Sequence, residues 1–283
     1  MDELQLQHDS SETIMAALFT LTPCQFSDLR HSLSSDLRRQ HHRLCSLLRS
    51  TTRFSQTLRH LEALSLHQKT LLIARYFLTT LKQLTRFWEA ETPNTSVAVR
   101  LRDLDATLLL MLLCEVHQHD KQALERPPAE WRHILNEYVV SNMLAMAGVG
   151  VPSGAIVLSP FIDVATRCRR FLDAAGCGGG GGKVEREVAT SAAAVVALPS
   201  VELCGTGTEC AICKEAMGGG RDVCELPCGH MFHWMCILPW LAKRNTCPCC
   251  RLRLPTDDVL GEIERLWGVL LRIGRSPRNS CGD

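Results

Sequence analysis

The sequence carries no strong charge of either sign. Its 31 Lys and Arg offset 30 Asp and Glu, leaving a formal net charge of +1. A near-neutral chain has no global attraction to nucleic acid or to an anionic bilayer. A long apolar run is also missing. The longest uncharged span, Tyr138–Ile162, is broken by Asn142, Pro152, Ser153, Pro160 and several glycines. It therefore predicts a helix end followed by a loop, and no transmembrane span. The opening residues, Met1–Met15, hold Asp2, Glu3, Asp9 and Glu12 and have neither a basic leader nor an apolar core. They predict no secretory signal and no cleaved transit peptide. No fixed internal period appears, which leaves a solenoid without support. The one glycine-rich tract is no phosphate loop. Its Lys183 is followed by Val184, where the phosphate-binding pattern needs Ser or Thr.

What remains is ordinary globular material with one unusual segment. Hydrophobic residues make up 46% of the chain and charged residues 22%, so there is room for a sizeable core. The 283 residues suit one to three domains. Of the 15 cysteines, nine fall between Cys204 and Cys250, interleaved with histidines. That pattern favours metal in a reducing compartment over a secreted disulfide framework.

From Ser10 to Ala175 apolar residues recur at three and four, which predicts helices. The expected spans are Glu12–Leu21, Gln25–Leu48, Arg53–Leu64, Gln68–Trp88, Val97–His119, one opened by Pro127 and Pro128 and running to Met146, and Pro160–Ala175. Leu29, Leu33, Leu37, Leu44 and Leu48 form one apolar stripe, and Leu71, Leu78, Leu81, Leu84 and Trp88 another. Together they imply a mainly α chain whose first 175 residues form a helical bundle. Thr92–Ser96 reads as a turn with a cap for the next helix. Seven arginines between Ser27 and His60 face only Asp28 and Asp36. They form either a solvated face or a contact surface for an acidic partner or anionic membrane. Cys24, Cys45, Cys114 and Cys168 stand alone and are expected as small buried apolar residues. Residues 176–203, opening on the Gly176–Gly182 run, read as a flexible linker with a short helix in Val184–Ala197. After a cysteine-rich segment at 204–255, residues 256–283 predict a C-terminal helix and tail. That helix runs Val259–Ile273, is capped by Thr256 or Asp257, and buries Val259, Ile263, Leu266 and Leu270 beside Trp267.

The cysteine-rich segment reads CAICKEAMGGGRDVCELPCGHMFHWMCILPWLAKRNTCPCC. Eight candidate metal ligands fall in order: Cys210, Cys213, Cys228, His230, His233, Cys236, Cys247 and Cys250. Two zinc ions need four nitrogen or sulfur ligands each, and four short-range pairs supply that number. A segment this small rarely buries enough apolar surface to fold alone. Structural zinc contributes on the order of 10–16 kcal/mol in small peptides, so the metal is the expected cause of the local fold.

Cys at the third place with His at the fourth and fifth closely resembles the RING-H2 finger. A PHD finger has one His, and a U-box has no metal ligands. The resemblance implies interleaved sites: Cys210, Cys213, His233 and Cys236 at one, Cys228, His230, Cys247 and Cys250 at the other. The forms L-P-C-G-H and C-P-x-C-R favour Cys228 over Cys224 and Cys250 over Cys249. The family consists mostly of E3 ubiquitin ligases. In them a ubiquitin-conjugating enzyme (E2), already charged with ubiquitin, is held ready for attack by a substrate lysine. The implied contact positions are Ile212 within the first Cys pair, Trp240 after the sixth ligand, Pro248 after the seventh and Arg251 after the last. No covalent catalysis is implied, because every metal position is filled by protein. The rival readings are a non-catalytic zinc scaffold for protein–protein interaction and a nucleic-acid-binding finger. Retention of all four contact residues opposes the first. The lack of a basic, aromatic-laced face opposes the second.

The likeness reaches beyond the finger. Met15–Pro23, Val99–Gln118, Pro160–Asp173 and Cys236–Val259 resemble plant RING ligases of amyloplasts that act in shoot gravitropism. That resemblance implies a place on the cytosolic face of the amyloplast and actin-linked amyloplast components as partners. The glycine run and Cys249 depart from that family's pattern and leave the linker length open.

Overall fold

In the computed structural model the described residues are 12, 14–89, 100–146, 167–168, 170–172, 174, 187–202, 208–218 and 222–275. The chain divides into two compact units. One comprises Met1–Phe87, Val97–Phe171 and Leu270–Asp283; the other comprises Trp88–Ser96 and Leu172–Val269.

The first unit is helical because its periodicity and caps agree. After helical residues 14–18, α1 runs Pro23–Arg49. The Thr22 hydroxyl accepts from the Gln25 amide, and the Gln25 side chain accepts from the Thr22 amide. Pro23 follows the cap, where its missing N–H costs nothing. Helix α2 is Thr51–Ala63, capped by Ser50. Helix α3 is Leu66–Thr85, opened by the same reciprocal box between Ser65 and Gln68. Helices α4, Leu101–His119, and α5, Pro128–Met146, follow. Residues 167–168, 170–172 and 174 are also helical; the rest of the expected Pro160–Ala175 helix lies outside the described residues. So does the Thr92–Ser96 turn, and α4 begins without a side-chain cap at Arg100.

The core joins Leu47, Leu48 and Phe54 to Leu109, Leu112 and Leu135. The expected stripes hold with a shift in register. Leu29, Leu33 and Leu48 are buried with Leu47, while Leu37 and Leu44 are half-buried. On α3 it is Leu72, Phe77, Leu78, Leu81 and Leu84 that go inside. One charge is buried among them. Asp105 on α4 accepts from both Arg43 of α1 and Arg53 of α2, the latter at 3.1 Å. A buried carboxylate is tolerable only when paired in this way. Two of the seven arginines expected on a basic face are thus half-buried and committed to a carboxylate, and Arg39 pairs with Asp36. Cys168 is buried as expected and Cys45 half-buried, but Cys24 and Cys114 are exposed. Their helix positions turn away from the core.

The second unit contains α6, Ala192–Val196, a three-stranded antiparallel sheet, α7, Trp234–Leu241, and α8, Val259–Arg275, as far as Val269, its last turns being counted with the first unit. The strands are β1, Ser200–Val201, β2, Val223–Glu225, and β3, Met231–His233, paired in that order. The stretch expected as a single linker divides. Residues 187–202 are packed: the Thr190 amide donates to Leu241 O and the Ser191 amide to Pro255 O, both at 2.9 Å, and Ser200 pairs with Cys224. Only five residues of the Ala/Val tract are helical, because the extended backbone before them is committed to these bonds. The cap of α8 is Asp258, whose carboxylate accepts from the Gly261 amide at 2.7 Å, one or two residues later than expected. Ile263, Leu266, Trp267 and Leu270 are buried along α8. No helix among the described residues is long and apolar enough to cross a membrane.

Candidate metal centre

The finger is assembled from two copies of one turn. In the first, the Lys214 amide donates to Cys210 O at 2.8 Å and the Cys210 amide to Glu215 O at 2.9 Å. In the second, the Arg251 amide donates to Cys247 O and the Cys247 amide to Leu252 O, both at 2.9 Å. Each copy is closed by a single antiparallel bridge, Glu209 to Ala216 and Thr246 to Arg253. Each needs a left-handed residue just past its second cysteine, and Lys214 and Arg251 sit at φ 65° and 60°. A different turn carries the middle pair. Gly229, at φ 77°, donates to Leu226 O, and the Leu226 amide donates to His230 O. Glycine takes that backbone region freely. His233 ends β3 and occupies the N-cap of α7, which places Cys236 one turn on, on the same side.

These elements bring the eight sequence-predicted ligands into two groups. Cys210, Cys213, His233 and Cys236 form one, and Cys228, His230, Cys247 and Cys250 the other; within each group the ligand atoms all lie within 4.8 Å of one another. The chain order is thereby interleaved, the cross-brace. The Nδ1 atom of each imidazole faces sulfur: 3.4 Å from Cys213 and 4.0 Å from Cys236 for His233, and 3.3 Å from Cys228 for His230. Bonds of about 2.3 Å to sulfur and 2.0 Å to nitrogen give tetrahedral edges of roughly 3.5–3.8 Å. Three thiols and one imidazole at such separations fit a metal ion of the zinc class. Cys249 is exposed and Cys224 buried, and neither belongs to a group.

The thiols are poised against one another. Burial pushes Cys210 up, but the backbone N–H groups of Cys213, His233 and Ile212 outweigh it and bring the thiol down to about 6. Cys228 is raised to about 12 by burial and by the neighbouring Cys247 and Cys250. Cys236 is raised to about 11 by burial and by Cys213 and Cys210. Without a cation, the three thiols of a group cannot all be thiolates; a divalent ion removes the mutual repulsion. Cys224, in the core, is raised to about 11 by burial and Glu225.

The four expected contact residues differ in exposure. Ile212 is 38% exposed and Arg251 is exposed, whereas Pro248 is half-buried. Trp240, implied as an E2 contact, is half-buried. Its indole N–H donates to Thr246 O at 2.6 Å, and the Arg244 guanidinium lies 5.1 Å over its ring. It thus braces the loop that carries Cys247. Sequence reasoning missed two apolar side chains on α7: Met235 is 82% exposed and Leu238 39%. The signal was present in WMCILPWL, which holds more apolar residues than one face of an eight-residue helix can bury.

Comparisons with known proteins accord with this geometry. The Ring finger domain family matches residues 208–251. Over 280 residues the chain is 43% identical to "E3 ubiquitin-protein ligase SGR9, amyloplastic" of Arabidopsis thaliana, covering 94% of this chain and 98% of that protein. It is 43% identical over 91 residues to the E3 ubiquitin-protein ligase RDUF1 of the same plant, covering 31% of this chain and 23% of the relative. It is 48% identical over 63 residues to the E3 ubiquitin-protein ligase RNF181 of Danio rerio, covering 22% and 40%. No solved structure matches the chain.

Proposed function

Because the chain belongs to the RING-H2 E3 ubiquitin-protein ligases, we propose that its finger performs transfer by holding a charged E2 in a reactive geometry over two zinc ions. The general activity, that of a RING-type E3 ubiquitin transferase, follows from full-length likeness to a ligase and from the Ring finger domain.

Zinc would be held by Cys210, Cys213, His233 and Cys236, and by Cys228, His230, Cys247 and Cys250. With four protein donors each, neither ion has a position for a reacting water. Zinc supplies rigidity, and the chemistry stays with the E2 thioester. The chain's own contribution is orientation, which can lower a barrier by several kcal/mol. Ile212 and Pro248 offer apolar surface to the E2, next to the indole of Trp240. Arg251, at the tip of the second turn, is placed to donate its guanidinium fork to carbonyl oxygens of E2 and ubiquitin. The exposure of Ile212 supports this reading most directly, since an isoleucine in a two-residue metal turn has no packing reason to face water. The test is autoubiquitination by the zinc-loaded chain with activating enzyme, ATP and a panel of E2 enzymes. Chains formed with at least one E2 are expected, and silence across the panel would end the ligase reading.

The region 1–175 is proposed to select the protein substrate or the organelle surface, since the finger itself is occupied by the E2. The relative named amyloplastic supports a plastid location for this chain too, on the cytosolic face where E2 enzymes are met. There it would act in gravitropism by altering how amyloplasts engage actin-linked components. A fluorescent fusion in gravity-sensing cells should ring the amyloplasts; a purely nuclear or diffuse signal would count against this.

A further inference from the structure

Between Leu21 and Glu89 the chain holds eleven Lys and Arg against four Asp and Glu. The excess is not spread evenly. Three of the α1–α2 arginines are engaged, Arg43 and Arg53 by Asp105 and Arg39 by Asp36. Helix α3 differs. No Asp or Glu occurs from Ala63 to Trp88. Arg75, Lys82 and Arg86 are all exposed, and among the described residues no ion pair engages any of them. Their spacing of seven and four residues puts them on one stripe. With about 1.5 Å of rise per residue, the stripe is roughly 16 Å long. Thr79, also exposed, lies on the same line, its hydroxyl donating to Arg75 O at 2.9 Å. At its end the Arg86 guanidinium rests 4.6 Å over the Phe87 ring, which restricts its motion.

The opposite side of the helix fixes this stripe in place. Leu72, Phe77, Leu78, Leu81 and Leu84 are buried. Toward α1, the Tyr76 hydroxyl donates to Gln40 Oε1 at 2.7 Å and the Gln83 amide to Ser32 Oγ. A row of cations that no ion pair among the described residues engages, running along α3 to its C-cap Arg86, is not demanded by the fold, because i,i+4 carboxylates would have been a stabilising choice there.

We propose that Arg75, Lys82 and Arg86 form a docking stripe for an acidic polypeptide segment. Its carboxylates would lie about 10 Å and 6 Å apart, matching seven and four residues of helix. Carboxylates suit the two arginine forks and the lysine ammonium. An acidic peptide fits better than a bilayer. Three cations alone give weak, salt-screened lipid attraction, and firm membrane binding needs an apolar contribution. The residue between them on the stripe, Thr79, is polar.

The test is fluorescence anisotropy with the full zinc-loaded chain at low salt. The probe is a labelled helical peptide of Ala and Glu whose glutamates repeat at seven and four residues. Binding is expected, weakening at least tenfold when Arg75→Glu, Lys82→Glu and Arg86→Glu are combined. The same peptide with Lys for Glu should instead bind that variant. Arg38→Glu with Arg49→Glu on α1 should leave affinity within twofold, and autoubiquitination should be unchanged by either set. If the charge reversals disturb helicity, Arg75→Gln, Lys82→Gln and Arg86→Gln should still give the loss. No binding at low salt, equal losses from the α1 and α3 variants, or capture by phosphatidylserine vesicles without peptide binding would each overturn the proposal. Because the readout is binding, failure of ligase activity would not mimic its failure.

Discussion

Lys214 and Arg251 occupy the same place in two copies of one metal turn. Each follows the second cysteine of a C-x2-C pair, each donates its amide to the first cysteine's carbonyl, and each is held at positive φ. A left-handed conformation costs a non-glycine residue about 1 kcal/mol or more. The turn geometry imposes that cost on both, so only the side chains distinguish them.

Arg251→Gly should therefore leave the finger as stable as before or slightly more so, while ubiquitin chain formation falls at least tenfold. Arg251→Lys should also be impaired, since a point charge lacks the fork. Lys214→Gly should gain similar stability and keep activity. Thermal unfolding and autoubiquitination, measured on the same preparations, separate the two effects. Full activity in Arg251→Gly would remove the guanidinium from the mechanism.

Ile212→Ala and Trp240→Ala should part company. Ile212 is exposed, so its truncation should abolish E2 binding with two metal ions still bound and little change in Tm. Trp240 also donates to Thr246 O, and losing that hydrogen bond should destabilise the finger by about 1 kcal/mol in addition to weakening activity. Elemental analysis, melting curves and E2 titration by NMR check all three quantities.

Metal binding should release protons and tighten as pH rises. In the metal-free finger Cys228 and Cys236 are raised to about 12 and 11, so both hold protons at neutral pH and must lose them to become ligands. Zinc affinity should thus climb between about pH 6 and 8, with at least one proton released per ion. Calorimetry in buffers of different ionisation enthalpy reads that number. An affinity flat over this range would mean the thiols are already ionised. Chelation, or His233→Ala, should unfold the finger.

In the helical unit, Asp105→Asn should be the most damaging polar substitution. It leaves Arg43 and Arg53 facing each other without their shared carboxylate. Both arginines keep solvent contact, with side chains 26% and 40% exposed, so the cost should be about 1–2 kcal/mol, below that of stranding a fully buried charge. Loss of helical circular dichroism at lower urea concentration is the expected reading, and an unchanged midpoint would show that the pairing contributes nothing.

The metal groups were legible because ligand chemistry is local. Pairs two residues apart can clamp one ion, and the Cys/His order narrowed the finger class before any fold was known. The helices were legible from apolar residues recurring at three and four, but the reciprocal caps in T-P-C-Q and S-L-H-Q went unread, and two helices begin two residues earlier than expected. Less was visible where a residue's partner is distant. The Ser191 amide meets Pro255 O, 64 positions away, so half of the apparent linker is committed to the finger. Arg43 and Arg53 looked like surface charge until Asp105 was found between them. Trp240 looked free until Thr246 accepted its indole N–H.

Composition and spacing thus determined which atoms are suited to hold metal and which segments coil. Tertiary structure alone decided which charges lack an ion pair among the described residues, as on the α3 stripe, and which apolar side chains remain exposed, as at Ile212 and Met235. The reason is physical. Helix propensity and chelation depend on neighbours within a few bonds, whereas neutralisation and burial depend on groups that only the completed fold brings within a few ångströms.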